Sequence, residues 1–150
     1  MAKLKKQHMT IHWKAIVQDD SSIPATEATL KEKATLVGRI GLMMLSVGTG
    51  AWRVRNSMNK VSRCLGITCT ADIGLLAISY TCIEGTDTYT QSISLPTTGV
   101  NTHKLMELEL FMKEFPDKVS TCSVKHIHEV LDEIQKFPAN YKAWNLGLAS

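Results

Sequence analysis

Apolar residues recur at helical spacing in two neighbouring stretches of the chain. The first stretch follows the i, i+4, i+7, i+11 spacing of a buried helix face, and it predicts a helix over about residues 30–47. Its apolar positions are Leu36, Val37, Ile40, Met43, Met44 and Val47. Gly48 and Gly50 then permit a turn. A second stripe predicts a helix over about residues 51–65 that ends at Gly66, and it consists of Val54, Met58, Val61 and Leu65.

The apolar period then changes from 3.6 to 2, which is typical of strands. Alternation over 67–73, 76–82 and 89–95 predicts three strands in an antiparallel meander, with turn residues at 84–87. The positions between the apolar ones are rich in Ser and Thr. We therefore expect helices to cover one face of the sheet and to leave the other face wet or available to a partner.

Two more helices are predicted after the sheet. Asn101 or Thr102 can cap the first, which Pro116 is expected to end, and Ser123 can cap the second, which Pro138 is expected to end. Acidic residues between the apolar positions of these helices are predicted to form solvated faces: Glu107, Glu109, Glu114, Asp132 and Glu133. The predicted fold class is α+β, with two N-terminal helices, a three-stranded antiparallel meander and two C-terminal helices packed on one sheet face.

The remaining segments divide the chain. Residues 1–28 form an N-terminal extension whose apolar positions fit a strand or a helix, so it is either a short lysine-bordered helix on an anionic membrane surface or a terminal segment that packs one tryptophan on the domain. Residues 29–138 form the α+β domain. In residues 139–150, Tyr141, Lys142 and Trp144 precede small apolar residues, as at the interfacial end of a membrane span, although alone the run is short enough to be a frayed tail.

Composition excludes several function classes. The 150 residues are 44% hydrophobic, as expected of one folded domain, and the net charge of +3 is too small for a dedicated nucleic-acid binder. The four cysteines form no C-x-x-C pair and no secretory signal opens the chain, which favours reduced thiols in the cytoplasm. The histidine pairs lack zinc-like partners, and no phosphate-binding loop or nucleophile motif occurs, so we expect no metal, no cofactor and no enzyme activity.

Several segments in order resemble the N-terminal domain of the threonine/serine exporter (ThrE-like) family over about residues 31–150. They are GRIGLMMLSVGTGAWRVRNSMNKVSRCLGI at 38–67, LLAISYT at 75–81 and TTGVNTHKLMELELFMKEF at 97–115. The resemblance implies the cytoplasmic α+β domain of a bacterial amino-acid exporter, cut off where its first transmembrane helix begins at 139–150. It also implies a partner, which is either the transmembrane portion of the same transporter or a separate small membrane subunit. A homo-oligomeric assembly is implied as well.

Four residues are candidates for substrate handling or gating. Arg53 matches a recurrent arginine of the family and could pair with a carboxylate of the substrate or of a neighbouring segment, or be solvated. Asn101 and His103 lie at a loop-to-helix corner where backbone N–H groups attract anions, although helix capping also explains them. Asp72 is an acid inside a strand, which an edge position would equally explain.

A second function class stays open at this stage. The domain could instead be a self-contained cytosolic α+β module, either a small-molecule binder or a hydrolase of unrecognised type, because the predicted elements form a complete core without a membrane.

Overall fold

Four α-helices and one three-stranded sheet make up the described part of the chain, which comprises residues 23–95 and 102–136 of this computed structural model without the side chains of 102, 103 and 136. A short 3₁₀ helix at Ala25–Glu27 comes first. The elements that follow are α1 (Leu30–Ser46), α2 (Ala51–Leu65), β1 (Thr68–Ile73), β2 (Ala77–Glu84), β3 (Asp87–Ser94), α3 (Thr102–Lys118) and α4 (Val124–Lys136). The predicted α+β class and the order of the elements are confirmed.

The ends of the first two helices follow from local side-chain chemistry. Thr29 caps α1, because its hydroxyl accepts the Glu32 N–H at 3.3 Å while the Glu32 carboxylate accepts the Thr29 N–H at 3.2 Å. This reciprocal pair satisfies two N–H groups that the helix leaves without partners. Gly66 ends α2 with a φ of 77°, a left-handed conformation that glycine adopts at little cost. The bounds predicted for both helices therefore hold to within a residue.

The sheet has two faces of opposite character. Its order is β1-β2-β3 with antiparallel pairing throughout, and the register places Cys69 opposite Cys82 as free thiols. Ile78, Tyr80 and Cys82 are buried on one face. On the other face, exposed hydroxyls pair across the strands, Ser79 with Ser92 at 3.0 Å and Thr81 with Thr90 at 2.9 Å. The prediction of one covered face and one polar face is confirmed.

Close approach between α1 and the sheet depends on a glycine. A Cβ atom at Gly38 would overlap the ring and hydroxyl of Tyr80, and one at Gly41 would lie 2.6 Å from the Met58 sulfur. The Tyr80 hydroxyl lies 2.7 Å from the Ala34 carbonyl oxygen of α1 and donates to it. Burial raises the pKa of Tyr80 far above its ordinary value, so this hydroxyl keeps its proton.

The helices form two layers on the covered face. α1 packs on β2 and β3 and α2 packs on β1, whereas α3 packs on α2 and α4 packs on α1. Every residue of α1 from Glu32 to Leu45 is buried as a result. The first helix pair therefore lies between the sheet and the second pair, an arrangement that buries the polar as well as the apolar side of α1.

Pro116 does not end α3, contrary to the prediction. The helix continues to Lys118, and the Val119 N–H still donates to the Phe115 carbonyl at 3.0 Å. Because Pro116 lies in the last turn, its missing N–H costs at most one helical hydrogen bond near an end that already leaves groups unpaired. The predicted end of α4 at Pro138 lies outside the described residues.

Candidate functional site

The most buried charged side chain in the described structure is Arg39, in the middle of α1. Arg39 is one of the largest side chains that are almost fully buried. An arginine cannot shed its charge inside a protein, so burial requires hydrogen-bond acceptors and a counter-charge. The α1 backbone carries Arg39 on the side that faces α4, and α4 supplies these groups.

Three residues of α4 contact the two terminal nitrogens of Arg39. Nη1 donates to the His128 carbonyl oxygen at 3.0 Å and lies 3.1 Å from His128 Nδ1. Nη2 donates to the Asp132 carboxylate and to Gln135 Oε1, the latter at 2.8 Å. His128, Asp132 and Gln135 have i, i+4, i+7 spacing, so one face of α4 presents all of these acceptors. We call these four residues the Arg39 cluster.

Electrostatics fix the protonation state of the Arg39 cluster. Burial lowers the pKa of Arg39, while the hydrogen bond and charge of Asp132 oppose this shift. Burial and the nearby guanidinium lower the pKa of His128 well below its ordinary value. His128 is therefore neutral at pH 7, and because Nη1 can only donate, Nδ1 is its acceptor and the proton resides on Nε2. The cluster contains one cation, one anion and one neutral imidazole.

The structure corrects one expectation about the acidic residues. The prediction of solvated acidic faces is wrong for Asp132, whose carboxylate neutralises the buried guanidinium, and for Glu107 of α3, which is only 8% exposed. His128 faces Arg39 rather than a metal, and the described residues contain no group of three or more His, Cys, Asp or Glu side chains suited to a metal ion. Sequence reasoning did not select Arg39 at all. The available signal was one basic residue inside the apolar stretch 34–45, together with polar residues at helical spacing on a later helix.

Arg53, which the sequence did select, lies in a different environment. Its Nη2 donates to Glu109 Oε2 of α3 at 2.9 Å, and both side chains are about half exposed. The pair borders an open groove of about 340 Å³ between α2 and α3, which Trp52, Lys60 and Lys113 also line. Of the two pairings predicted for Arg53, the structure shows the one with a carboxylate of a neighbouring segment.

Of the other predicted site residues, Asp72 is the one whose side chain the structure describes, and it does not join Arg53. Asp72 is exposed on β1, where its register partner is Ser79 and the alternation of the strand directs it to the face away from the helices. His103 belongs to the first turn of α3, but its side chain lies outside the described residues. Asn101 and the predicted interfacial residues Tyr141, Lys142 and Trp144 also lie outside the described residues.

Comparison with protein families gives a match over most of the chain. A family model described as "Putative threonine/serine exporter" matches residues 35–150, from the first turns of α1 through α4 and beyond. The chain belongs to the threonine/serine exporter family. Searches of curated proteins and of solved structures gave no match.

Family membership supports a function related to threonine/serine export. Export is a membrane process, yet the helices within 23–95 and 102–136 are each too short or too polar to cross a bilayer. The Arg39 cluster and the Arg53–Glu109 pair both fall inside the region that matches the exporter family. The two sites therefore belong to the exporter domain itself.

Proposed function

We propose that this chain provides the cytoplasmic domain of a secondary transporter that exports threonine, serine or a related small metabolite. One observation carries the proposal: the exporter family matches an unbroken region that contains α1 from residue 35 onward, α2, the sheet, α3, α4 and the residues that follow α4. The transmembrane portion of the same transporter, or a separate small membrane subunit, is the partner we propose, and a homo-oligomer is its proposed assembly.

The Arg39 cluster gives this domain a mechanical role. α4 is the last described helix before residues 137–150, where Tyr141, Lys142 and Trp144 have the composition of a membrane interface. Four hydrogen-bond contacts from one guanidinium attach α4 to α1 along the stretch from His128 to Gln135. We propose that this attachment makes α4 move with the domain body, so that a movement of the domain is transmitted to whatever follows α4.

The exposed Arg53–Glu109 pair has a weaker claim to a role in transport. Both partners keep contact with water, so either could exchange its partner for the carboxylate or the ammonium group of an amino acid at little cost. A place in the substrate path is thus compatible with Arg53, whereas Arg39 is fully enclosed. The stand-alone binding module or hydrolase stays a prediction, and no described contact favours it over the exporter domain.

An efflux measurement tests the proposal. Cells loaded with labelled threonine would express the membrane portion of the transporter with and without this chain, and release would be compared for threonine, serine and leucine. We expect rapid release of threonine or serine only when both parts are present, with leucine as the specificity control. Equal release without this chain, or no release of either amino acid with both parts, would contradict the proposal.

A further inference from the structure

Helix ends from both layers lie at one end of the domain, and α4 finishes there. Leu42 and Val47 near the end of α1, Leu95 after β3, Leu108 near the start of α3 and Ile134 of α4 line one small cavity. The start of α2 and the β1–β2 turn are also at this end, because residues 48–51 and 73–75 line a shared opening of about 460 Å³. We call this region the α4 end.

Large apolar side chains are exposed at the α4 end. Leu75, in the β1–β2 turn, is 91% exposed, Trp52, in the first turn of α2, is 66% exposed, and Met106, in α3, is 62% exposed. Leu76 adjoins them, and its carbonyl accepts the Leu95 N–H at 2.7 Å. Turn tips normally carry small or polar residues, and a folded domain gains nothing from an apolar side chain almost wholly in water.

The opposite end of the sheet has a polar turn instead. Glu84 and Asp87 flank the β2–β3 turn, and Glu84 pairs with Lys33 near the start of α1 at 2.6 Å. Ile83 is exposed there to an extent similar to Leu76, but it lies on the strand and not at a projecting tip. The two ends of one hairpin sheet therefore differ, with leucines projecting from one turn and carboxylates flanking the other.

The chain leaves the described domain at the apolar end. α4 finishes at Lys136 beside Leu42 and Leu95, and the 14 residues numbered 137–150 include Tyr141, Lys142 and Trp144 followed by small apolar residues. Aromatic and lysine residues concentrate where a chain meets the boundary between lipid and water. α4 thus finishes at the same end of the domain that carries the exposed Leu75 and Trp52.

We infer that the α4 end rests on a phospholipid bilayer, with Leu75, Leu76 and Trp52 inserted at the level of the headgroups. This inference rests on the proposed function, since it needs the domain beside a membrane. A bilayer suits the shape of this surface. Side chains on a projecting turn and on a first helix turn can enter a fluid lipid interface, whereas a protein partner would need a preformed pocket to receive them. Arg53 is exposed next to Trp52 in the first turn of α2, and Arg55 is exposed about one turn after Trp52. Both arginines can approach lipid phosphates.

Vesicle binding by the full 150-residue chain tests the inference. The vesicles would contain phosphatidylcholine and phosphatidylglycerol in equal amounts, and partitioning would be measured by sedimentation. Leu75→Asp and Leu76→Asp should each reduce the partition coefficient about tenfold, because a charge replaces an inserted apolar side chain. Ile83→Asp is the matched control, since Ile83 is 37% exposed and Leu76 39% exposed, and it should bind like the wild type.

A fluorescence measurement separates insertion of Trp52 from binding by other segments. With Trp13 and Trp144 replaced by Phe, Trp52 is the remaining tryptophan, and lipids brominated on the acyl chains should quench it. Vesicle binding without quenching would overturn the inference, as would equal binding of Leu76→Asp and Ile83→Asp or no binding at all. A change in Trp52 emission only with the membrane subunit, and none with bare vesicles, would assign the surface to protein contact instead.

The outcome is independent of the efflux assay. If the leucine variants lose vesicle binding while no amino acid is released from cells, the inference stands and the exporter function fails. If release is normal and Leu75→Asp changes neither binding nor quenching, the function stands and the bilayer contact fails.

Discussion

Arg39 and Arg53 each join a helix of the first pair to a helix of the second pair, in opposite surroundings. Arg39 connects α1 to α4 with its side chain 2% exposed and that of Asp132 30% exposed, whereas Arg53 connects α2 to α3 with exposures of 47% and 49%. Water can replace the partner of Arg53 but cannot reach Arg39. A guanidinium–carboxylate pair therefore holds α1 against α4 when it is buried, but contributes little to the contact between α2 and α3 when it is exposed.

A third ion pair lies between these extremes. Lys33 is 5% exposed and its partner Glu84 is 38% exposed, and they join α1 to the β2–β3 turn. The three pairs form a series of decreasing burial and of fewer additional hydrogen bonds, in which the middle pair has an ammonium in place of a guanidinium. We expect the effects of substitution in these pairs to follow this series. The next four predictions run from the largest effect to the smallest, and three of them test the series while one tests the neutral state of His128.

Loss of the counter-charge of Arg39 should have the largest effect. Asp132→Asn keeps the shape of the side chain but leaves a buried guanidinium uncompensated, so the free energy of unfolding should fall by about 3 kcal/mol. Urea denaturation of the purified chain measures this. The double variant R39M/D132L, which buries no charge, should cost less than Asp132→Asn alone. A double variant that costs the sum of its single substitutions would contradict the coupling.

The second prediction uses the neutral His128. Its pKa is lower in the folded chain than the ordinary 6.5, so between these two values the unfolded state binds the extra proton. The free energy of unfolding should therefore fall as pH drops below about 6.5, by up to about 1.4 kcal/mol per pH unit.

His128→Asn supplies the control for this pH dependence. The Asn side-chain oxygen can replace Nδ1 as acceptor for Arg39 but does not titrate. Denaturation midpoints between pH 7 and pH 5 should fall less steeply for this variant than for the wild type. Equal slopes would show that His128 is not the titrating group.

The intermediate ion pair gives the third prediction. Glu84→Gln removes the counter-charge of Lys33, but position 84 is 38% exposed and the glutamine oxygen can still accept from the amine, so the expected loss in the free energy of unfolding is about 1 kcal/mol. Glu27→Gln, an exposed acid outside any described ion pair, is the comparison. A loss as large as that of Asp132→Asn would show that burial does not order the series.

The smallest effect should come from the exposed pair. Arg53→Ala is expected to change the free energy of unfolding by less than about 0.5 kcal/mol, and salt should remove even this difference because ions screen exposed charges. Thermal denaturation at low and high ionic strength checks both points. A loss above 1 kcal/mol that survives high salt would place Arg53 among the structural residues.

The fold could be predicted from the sequence to a large extent, for local reasons. The stripes of α1 and α2, the capping residue Ser123 and the glycine at 66 act over a few residues each, so their effects are visible in the chain. The extent of α3 past Pro116 could not be predicted, because a proline in a last helix turn has a small cost that packing can offset.

The Arg39 cluster could not be predicted because it depends on distant parts of the chain. Arg39 and Gln135 are 96 positions apart, and no periodicity within a helix shows which two helices will meet. The apolar stripe of α1 also suggested one buried face, whereas the two layers bury all sides of its middle. Arg53 was selected by resemblance to a family, which identifies positions but does not show whether they are enclosed.

Threonine efflux from cells that contain the complete transporter is the measurement that tests this account most directly, with Asp132→Asn and Arg53→Ala compared at equal amounts in the membrane. We predict that Arg53→Ala retains the wild-type rate to within about twofold, whereas Asp132→Asn loses at least about tenfold because α4 is released from α1. Equal rates for Asp132→Asn and the wild type, or no threonine or serine release by the wild type, would contradict the account.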